Sequence, residues 1–337
     1  MRIDAVSLGH PPQEIAGDVA LAEHAGYDAW LTGEIAHDPL VACAVAATHS
    51  ERVQIGTAIA VAFARSPMQL AYAAHDLQGL SDGRFVLGLG SQVRAHIERR
   101  FSATWSRPAA RMREFVLALR EIWSAWEQDR ALEFVGEFYR HTLMTPFFVP
   151  EPHGHPPPPV WLAAVGPRMT RVAGEVADGL LCHGFTTPRY LAEVTLPTLR
   201  AGTHAAGRSR ARLEVGLPVL VATGRDEQEL ARSERQVRSQ VAFYGSTPAY
   251  RAVLDLHGWG PLHERLHRLS QRGDWDAMTA LVDDEVLQAF AVVAAPERVG
   301  ERIRRRHAGT VDRVSLYTSH RFEDADWRRL VADLKGS

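Results

Sequence analysis

Glu34, His37 and Asp38 fall within five positions of one another. Two carboxylates beside an imidazole are groups that acid–base chemistry uses. The plainer reading is a solvated polar loop in which Asp38 caps a helix opened by Pro39. A second chemistry-bearing stretch is PVWLAAVGPRMTRVAGEVADGLLCHGF, from Pro159 to Phe185. Its apolar run ends at Val165, Gly166 can turn sharply, and Pro167 suits a first helical position. The N–H groups that follow, with Arg168 among them, would form a cup for an anion such as phosphate. The alternative is a turn that only joins two elements. The stretch GTAIAVAFARSP, residues 56–67, is a long apolar loop ahead of a helix, where loops ordinarily face water. It would suit the face of a large flat ring. Gly88-Leu89-Gly90-Ser91-Gln92 spaces two glycines so that backbone can approach a ligand closely. His183 alone reads more readily as a hydrogen-bonded structural residue than as a catalyst. No H-E-x-x-H pattern or cysteine pair is present, so no metal site is expected.

These residues need a scaffold, and the chain offers a regular one. Short apolar runs at 3–8, 28–32, 53–59, 85–89, 160–165, 180–182, 213–222 and 311–317 read as strands. Helical segments lie between them, among them 11–25, 40–48, 66–80, 109–126, 169–176, 188–206 and 296–307. Eight strands alternating with helices predict an α/β fold, a (β/α)8 TIM barrel. An open doubly wound sheet is the alternative, but Gly9 is followed by His10-Pro11-Pro12 and not by a dinucleotide-binding turn. We expect a single domain over 1–337, with insertions near 127–158 and 245–290. Breaks in the second insertion are expected at Gly258, Gly260-Pro261 and Gly273, with a short extra strand near 290–293. In a barrel, chemistry sits at the C-terminal ends of the strands, where all the residues singled out above fall.

The chain has 337 residues, 46% hydrophobic and 23% charged, enough for a large core. A net charge of -2 gives no reason to expect nucleic acid or an anionic membrane surface. No apolar run is long enough to span a bilayer. Cys43 and Cys182 lie far apart in apolar settings, and Met1-Arg2-Ile3-Asp4 enters a strand directly, which predicts a reduced cytoplasmic protein without a secretory leader.

Together, GTAIAVAFARSP (56–67), SDGRFVLGLGSQVRAHIERRF (81–101) and AAVGPRMTRVAGEVADG (163–179) resemble the luciferase-like monooxygenase superfamily of flavin and deazaflavin oxidoreductases. RPAARMREFVLALREIW (107–123) and GEFYRHTLMTPFF (136–148) support the same likeness, which covers nearly the whole chain and is nearest to the branch dependent on coenzyme F420. The resemblance implies hydride transfer between the deazaflavin C5 and an organic substrate, with an FMN-dependent monooxygenase as the alternative and a non-catalytic cofactor-binding protein as a third. It implies a non-proline cis peptide at Ala58–Ile59 in a bulge continuing to Ala60. It places Gly90, Ser91 and Gln92 against the ring or its side chain, Val165, Gly166, Pro167 and Arg168 at the cofactor phosphate, and His183 beside the tail. It makes Glu34 and His37 the catalytic candidates, although relatives often carry an acid followed directly by histidine, whereas Glu34 is followed by Ile35. The F420 tail is polyanionic, and Arg65, Arg94, Arg168 and Arg171 could track it. The family also implies a homodimer, packed through the alanine-rich helices after Pro39 and Pro67.

Overall fold

A computed structural model describes residues 1–336. Eight parallel strands close on themselves: β1 (Arg2–Ser7), β2 (Ala29–Thr32), β3 (Gln54–Thr57), β4 (Phe85–Gly90), β5 (Val160–Ala164), β6 (Gly179–Cys182), β7 (Glu214–Ala222) and β8 (Arg313–Tyr317). Each pairs with its sequence neighbour, and β8 pairs back onto β1 with Arg2 opposite Arg313. This is the (β/α)8 barrel expected from the alternating pattern. Ala291–Val293 adds the short extra strand, against the end of β7.

Helices wrap the barrel with their apolar faces inward. In Pro108–Glu127 the buried residues Met112, Phe115, Val116, Leu119, Ile122, Trp123 and Trp126 recur at three- and four-residue spacing. Pro167–Val176 and Leu196–Ala205 cross at two glycines: a Cβ on Gly174 would lie 2.3 Å from the Leu199 carbonyl oxygen, and one on Gly202 2.2 Å from that of Arg171. Any larger residue would push the helices apart, so this crossing fixes the helix that Gly166 opens.

The 127–158 segment forms a two-strand ribbon, Phe134–Val135 with Arg140–His141, and a proline-rich run. The 245–290 segment is helical over Arg251–Leu256, Gly260–Arg272, Trp275–Ala280 and Asp284–Phe290. Gly260 opens a helix there and does not break one, because Pro261 tolerates the first turn, where no N–H is needed. These helices share a second apolar cluster with the barrel, including Phe185, Tyr190, Leu220, Val241, Leu254 and Phe290.

Candidate functional site

The parallel strands carry every candidate loop to one end of the barrel. At the end of β3 the chain makes a bulge. Gly56 pairs with Val86 and Ala60 with Leu89, so four steps on one strand face three on the other. The surplus lies at Ala58–Ile59, whose peptide bond is cis. A Cβ on Gly90 would lie 2.8 Å from the Ile59 side chain, so the glycine makes room for the bulge. Ala58, Ile59, Ala60 and Gly90 therefore form one ledge.

Glu34 holds that ledge in place. Its N–H donates to the Ile59 carbonyl at 3.0 Å, and its Oε2 accepts from the Val61 N–H at 2.7 Å. The same oxygen accepts from Arg65 at 2.5 Å, and Arg65 also reaches Asp38 at 2.7 Å. The Glu34 side chain is only 7% exposed. Both side-chain bonds use one oxygen, Oε2, and tie it to the bulge. They also raise the Arg65 guanidinium above its ordinary value, the bonds to Glu34 and Asp38 outweighing its desolvation. Asp38 additionally caps the next helix, accepting from the Leu40 N–H at 2.8 Å, as the plainer reading of this loop expected. His37 is exposed, and no hydrogen bond joins it to Glu34.

After β4, Ser91 donates to the Gln92 carbonyl at 3.1 Å, and Gln92 adopts a φ of 57° while its side chain accepts from the Val93 N–H. A non-glycine residue in this left-handed region marks a backbone shaped by its surroundings. After β5, Gly166 has a φ of 79° and opens Pro167–Val176, with open space where a Cβ would be. Val165 and Arg168 are exposed. The N–H groups of the first helical turn have no acceptor within the helix, which leaves them for an anion to take up.

Of the four candidate arginines, three are engaged: Arg65 with Glu34 and Asp38, Arg94 with Glu98, and Arg171 with Glu175. Arg168 alone among them has no carboxylate partner within the described residues. Arg94 and Arg171 make their pairs on the exposed surface, with side chains 71% and 55% exposed, whereas the Arg65 pair is largely buried.

Beside the Gly166 turn lies a small cavity bounded by Gly166, Pro167, Thr170, His183, Thr186 and Tyr250 among others. A π-helical turn at Leu191–Thr195 forms part of its wall, a feature often found at functional sites. His183 Nδ1 accepts from the Phe185 N–H at 3.0 Å, its Nε2 lies 3.2 Å from the Tyr250 hydroxyl, and its ring stacks on Tyr250 at 4.5 Å. Burial lowers its pKa to about 4, so at neutral pH the ring is uncharged. His183 thus sits beside the anion cup without adding charge to it. Thr186 and Tyr250 had no sequence signal, since they join the site only through folding.

The luciferase-like monooxygenase family model matches residues 3–313. An uncharacterized protein of Mycobacterium tuberculosis is 53% identical over 91% of this chain and 91% of its own. A 5,10-methylenetetrahydromethanopterin reductase of Archaeoglobus fulgidus is 28% identical over 85% of this chain and 83% of its own. Among solved structures, the coenzyme F420-dependent tetrahydromethanopterin reductase of Methanopyrus kandleri superposes with a TM-score of 0.78 at 19% identity, covering 99% of this chain and 98% of that one. With the closed barrel and the family match over nearly its whole length, the chain is an enzyme that belongs to the luciferase-like monooxygenase family.

Proposed function

We propose that the chain is a coenzyme F420-dependent oxidoreductase acting on a small organic substrate. One juxtaposition carries the reading: an apolar ledge at 58–60, packed on Gly90, shares a rim with the anion cup at Gly166. A flat tricyclic ring with a phosphate on its side chain needs those two features together. The residues present fit such a group. The Thr186 hydroxyl is buried without a partner at the cavity behind the cup, and Gly166 leaves its approach open. Bound here, a deazaflavin would supply hydride chemistry at C5. Ala58, Ile59 and Ala60 would support the ring, Gly90, Ser91 and Gln92 its edge, and Val165, Gly166, Pro167 and Arg168 the phosphate. His37, exposed at the same rim, would hold or release the substrate proton. Glu34 would act through the ledge that it braces. The names of the Methanopyrus kandleri and Archaeoglobus fulgidus proteins support a reductase over an oxygenase.

One observation favours FMN as the runner-up. With Arg65, Arg94 and Arg171 paired to carboxylates, the free charge suits a phosphate more than a longer polyanion. Titration of the purified protein with F420 and with FMN, followed by fluorescence, separates the two. Saturable F420 binding with weaker FMN binding is expected; tight FMN binding with none of F420 would overturn the assignment in favour of an oxygenase.

A further inference from the structure

The cavity behind the Gly166 turn contains a hydrogen-bond chain whose direction can be worked out. The Phe185 N–H can only donate, so His183 Nδ1, 3.0 Å away, must accept and carries no proton. The imidazole is neutral at ordinary pH because burial lowers its pKa to about 4. Its single proton therefore resides on Nε2, which faces the Tyr250 oxygen at 3.2 Å. There the tyrosine oxygen is the acceptor. Its own O–H must then donate elsewhere, and no protein acceptor takes it among the described residues.

The Tyr250 ring cannot readily swing away. It stacks on His183 with planes 23° apart, and Tyr244 and Phe185 flank it at 5.8 and 5.7 Å. The cavity it lines contains a second donor without a partner, the Thr186 hydroxyl, whereas Thr170 has used its own on the Gly166 carbonyl at 3.0 Å. Among the described residues, no aspartate, glutamate, lysine or arginine lines this space. A wall with spare donors and no carboxylate suits a ligand group that only accepts, as phosphate oxygens do.

We propose that the Tyr250 hydroxyl donates to the phosphate of the bound cofactor, and that His183 is the positioning residue that directs it. This assignment rests on the functional reading above in requiring a phosphate-bearing flavin or deazaflavin at the Gly166 turn.

The test compares ligands with and without the phosphate: F420 and FMN against the deazaflavin nucleoside and riboflavin. Dissociation constants are measured by fluorescence for the wild type, Tyr250→Phe, His183→Leu and His183→Gln. Tyr250→Phe should weaken the phosphate-bearing ligand by about 10- to 100-fold, the scale of one hydrogen bond to a charged group, and leave its phosphate-free counterpart within about two-fold. His183→Leu should do the same. His183→Gln, whose amide N–H can replace Nε2–H, should recover part of the loss. Independently, ¹⁵N imidazole shifts of the ligand-free protein should show His183 protonated at Nε2 and bare at Nδ1. Equal losses for both ligand classes, no loss for either, or a proton on Nδ1 would each overturn the assignment. A wild-type protein that binds neither phosphate-bearing cofactor sinks the functional reading itself. Binding that survives Tyr250→Phe unchanged sinks only the role given to Tyr250.

Discussion

The floor and the mouth of the barrel are built from the same eight strands and solve opposite problems. At the floor, Arg313 is 1% exposed and fully partnered in its surroundings. Its guanidinium donates twice to Asp4, at 2.6 and 2.7 Å, and to Gln54 and Glu214 at 3.0 Å each, and it lies 4.3 Å from the centre of the Trp161 ring. Strands β1, β3, β5, β7 and β8 all contribute to this one knot. At the mouth, among the described residues, Arg168 has no carboxylate and the Thr186 hydroxyl has no partner, and Gln92 and Gly166 have positive φ. The guanidinium buried in this knot is satisfied because leaving its charge unpaired would cost the fold too much. The same kinds of group at the mouth are left spare, where a ligand can complete them. Breaking a contact at the floor should therefore change stability, and breaking one at the mouth should change binding.

The largest effect is expected at the floor. Arg313→Met strands the Asp4 carboxylate in a buried site, and losing one member of such a pair costs about 3–5 kcal/mol. Chemical denaturation should show that loss, while cofactor affinity per folded molecule stays unchanged. A stability within about 1 kcal/mol of wild type would mean that the knot contributes little, and the contrast between the two ends would collapse.

Acid should act through histidines near both ends. Burial depresses His183 at the mouth and His307 before β8 to about 4, the latter helped by Arg306. The unfolded chain, with an ordinary value near 6.5, takes up these protons first. Stability is thus fully present above about pH 6.5 and lost as pH falls toward 4, by about 2–3 kcal/mol per histidine. His183→Gln should flatten the unfolding free energy over that window, and an unchanged slope would show that His183 does not carry it.

How much of this was legible depends on how local each signal is. The strands are short apolar runs, and Ser66-Pro67 announces its helix correctly: Ser66 and Gln69 form a full capping box. The Gly166 turn could be read because glycine, proline and the helix start lie within a few residues. The closing helix Asp324–Lys335 escaped notice because only Leu330 and Leu334 are buried along it. The Arg313–Asp4 pair spans 309 positions, so no local pattern could reveal it. Tyr250 meets His183 across 67 residues and through an insertion whose packing only the fold defines. Glu34 was legible as a residue that matters, but its task was not: a carboxylate reads the same in sequence whether it moves a proton or braces a bulge.

That ambiguity yields the third prediction. Glu34→Ala removes the acceptor for the Val61 N–H and a carboxylate from Arg65, leaving the guanidinium with Asp38 and the Val61 carbonyl. We expect about 2 kcal/mol lost in stability or ring binding, since hydrogen bonds to charged groups are worth about that much. Were Glu34 the proton-transfer group instead, turnover would fall with stability and cofactor affinity both intact. His37→Ala is the companion measurement, and it should lower turnover alone.

The smallest effect should come from Arg168, and its small size is informative. Its side chain is exposed on the first turn of Pro167–Val176, so solvent screens any contact it makes. Arg168→Ala should leave unfolding unchanged and weaken a phosphate-bearing cofactor by about 1 kcal/mol. The effect should shrink as salt is raised from about 0.05 to 0.5 M, because the Debye length shortens over that range. The free backbone N–H groups behind it would keep their contacts, so binding should weaken without disappearing. The comparison of ligands then separates two kinds of charge. If F420 loses more than FMN, Arg168 reaches past the phosphate toward the acidic tail. If both lose equally, its contact ends at the phosphate. If neither loses anything at low salt, the cup works by backbone alone, and the spare arginine at the mouth is only a surface charge.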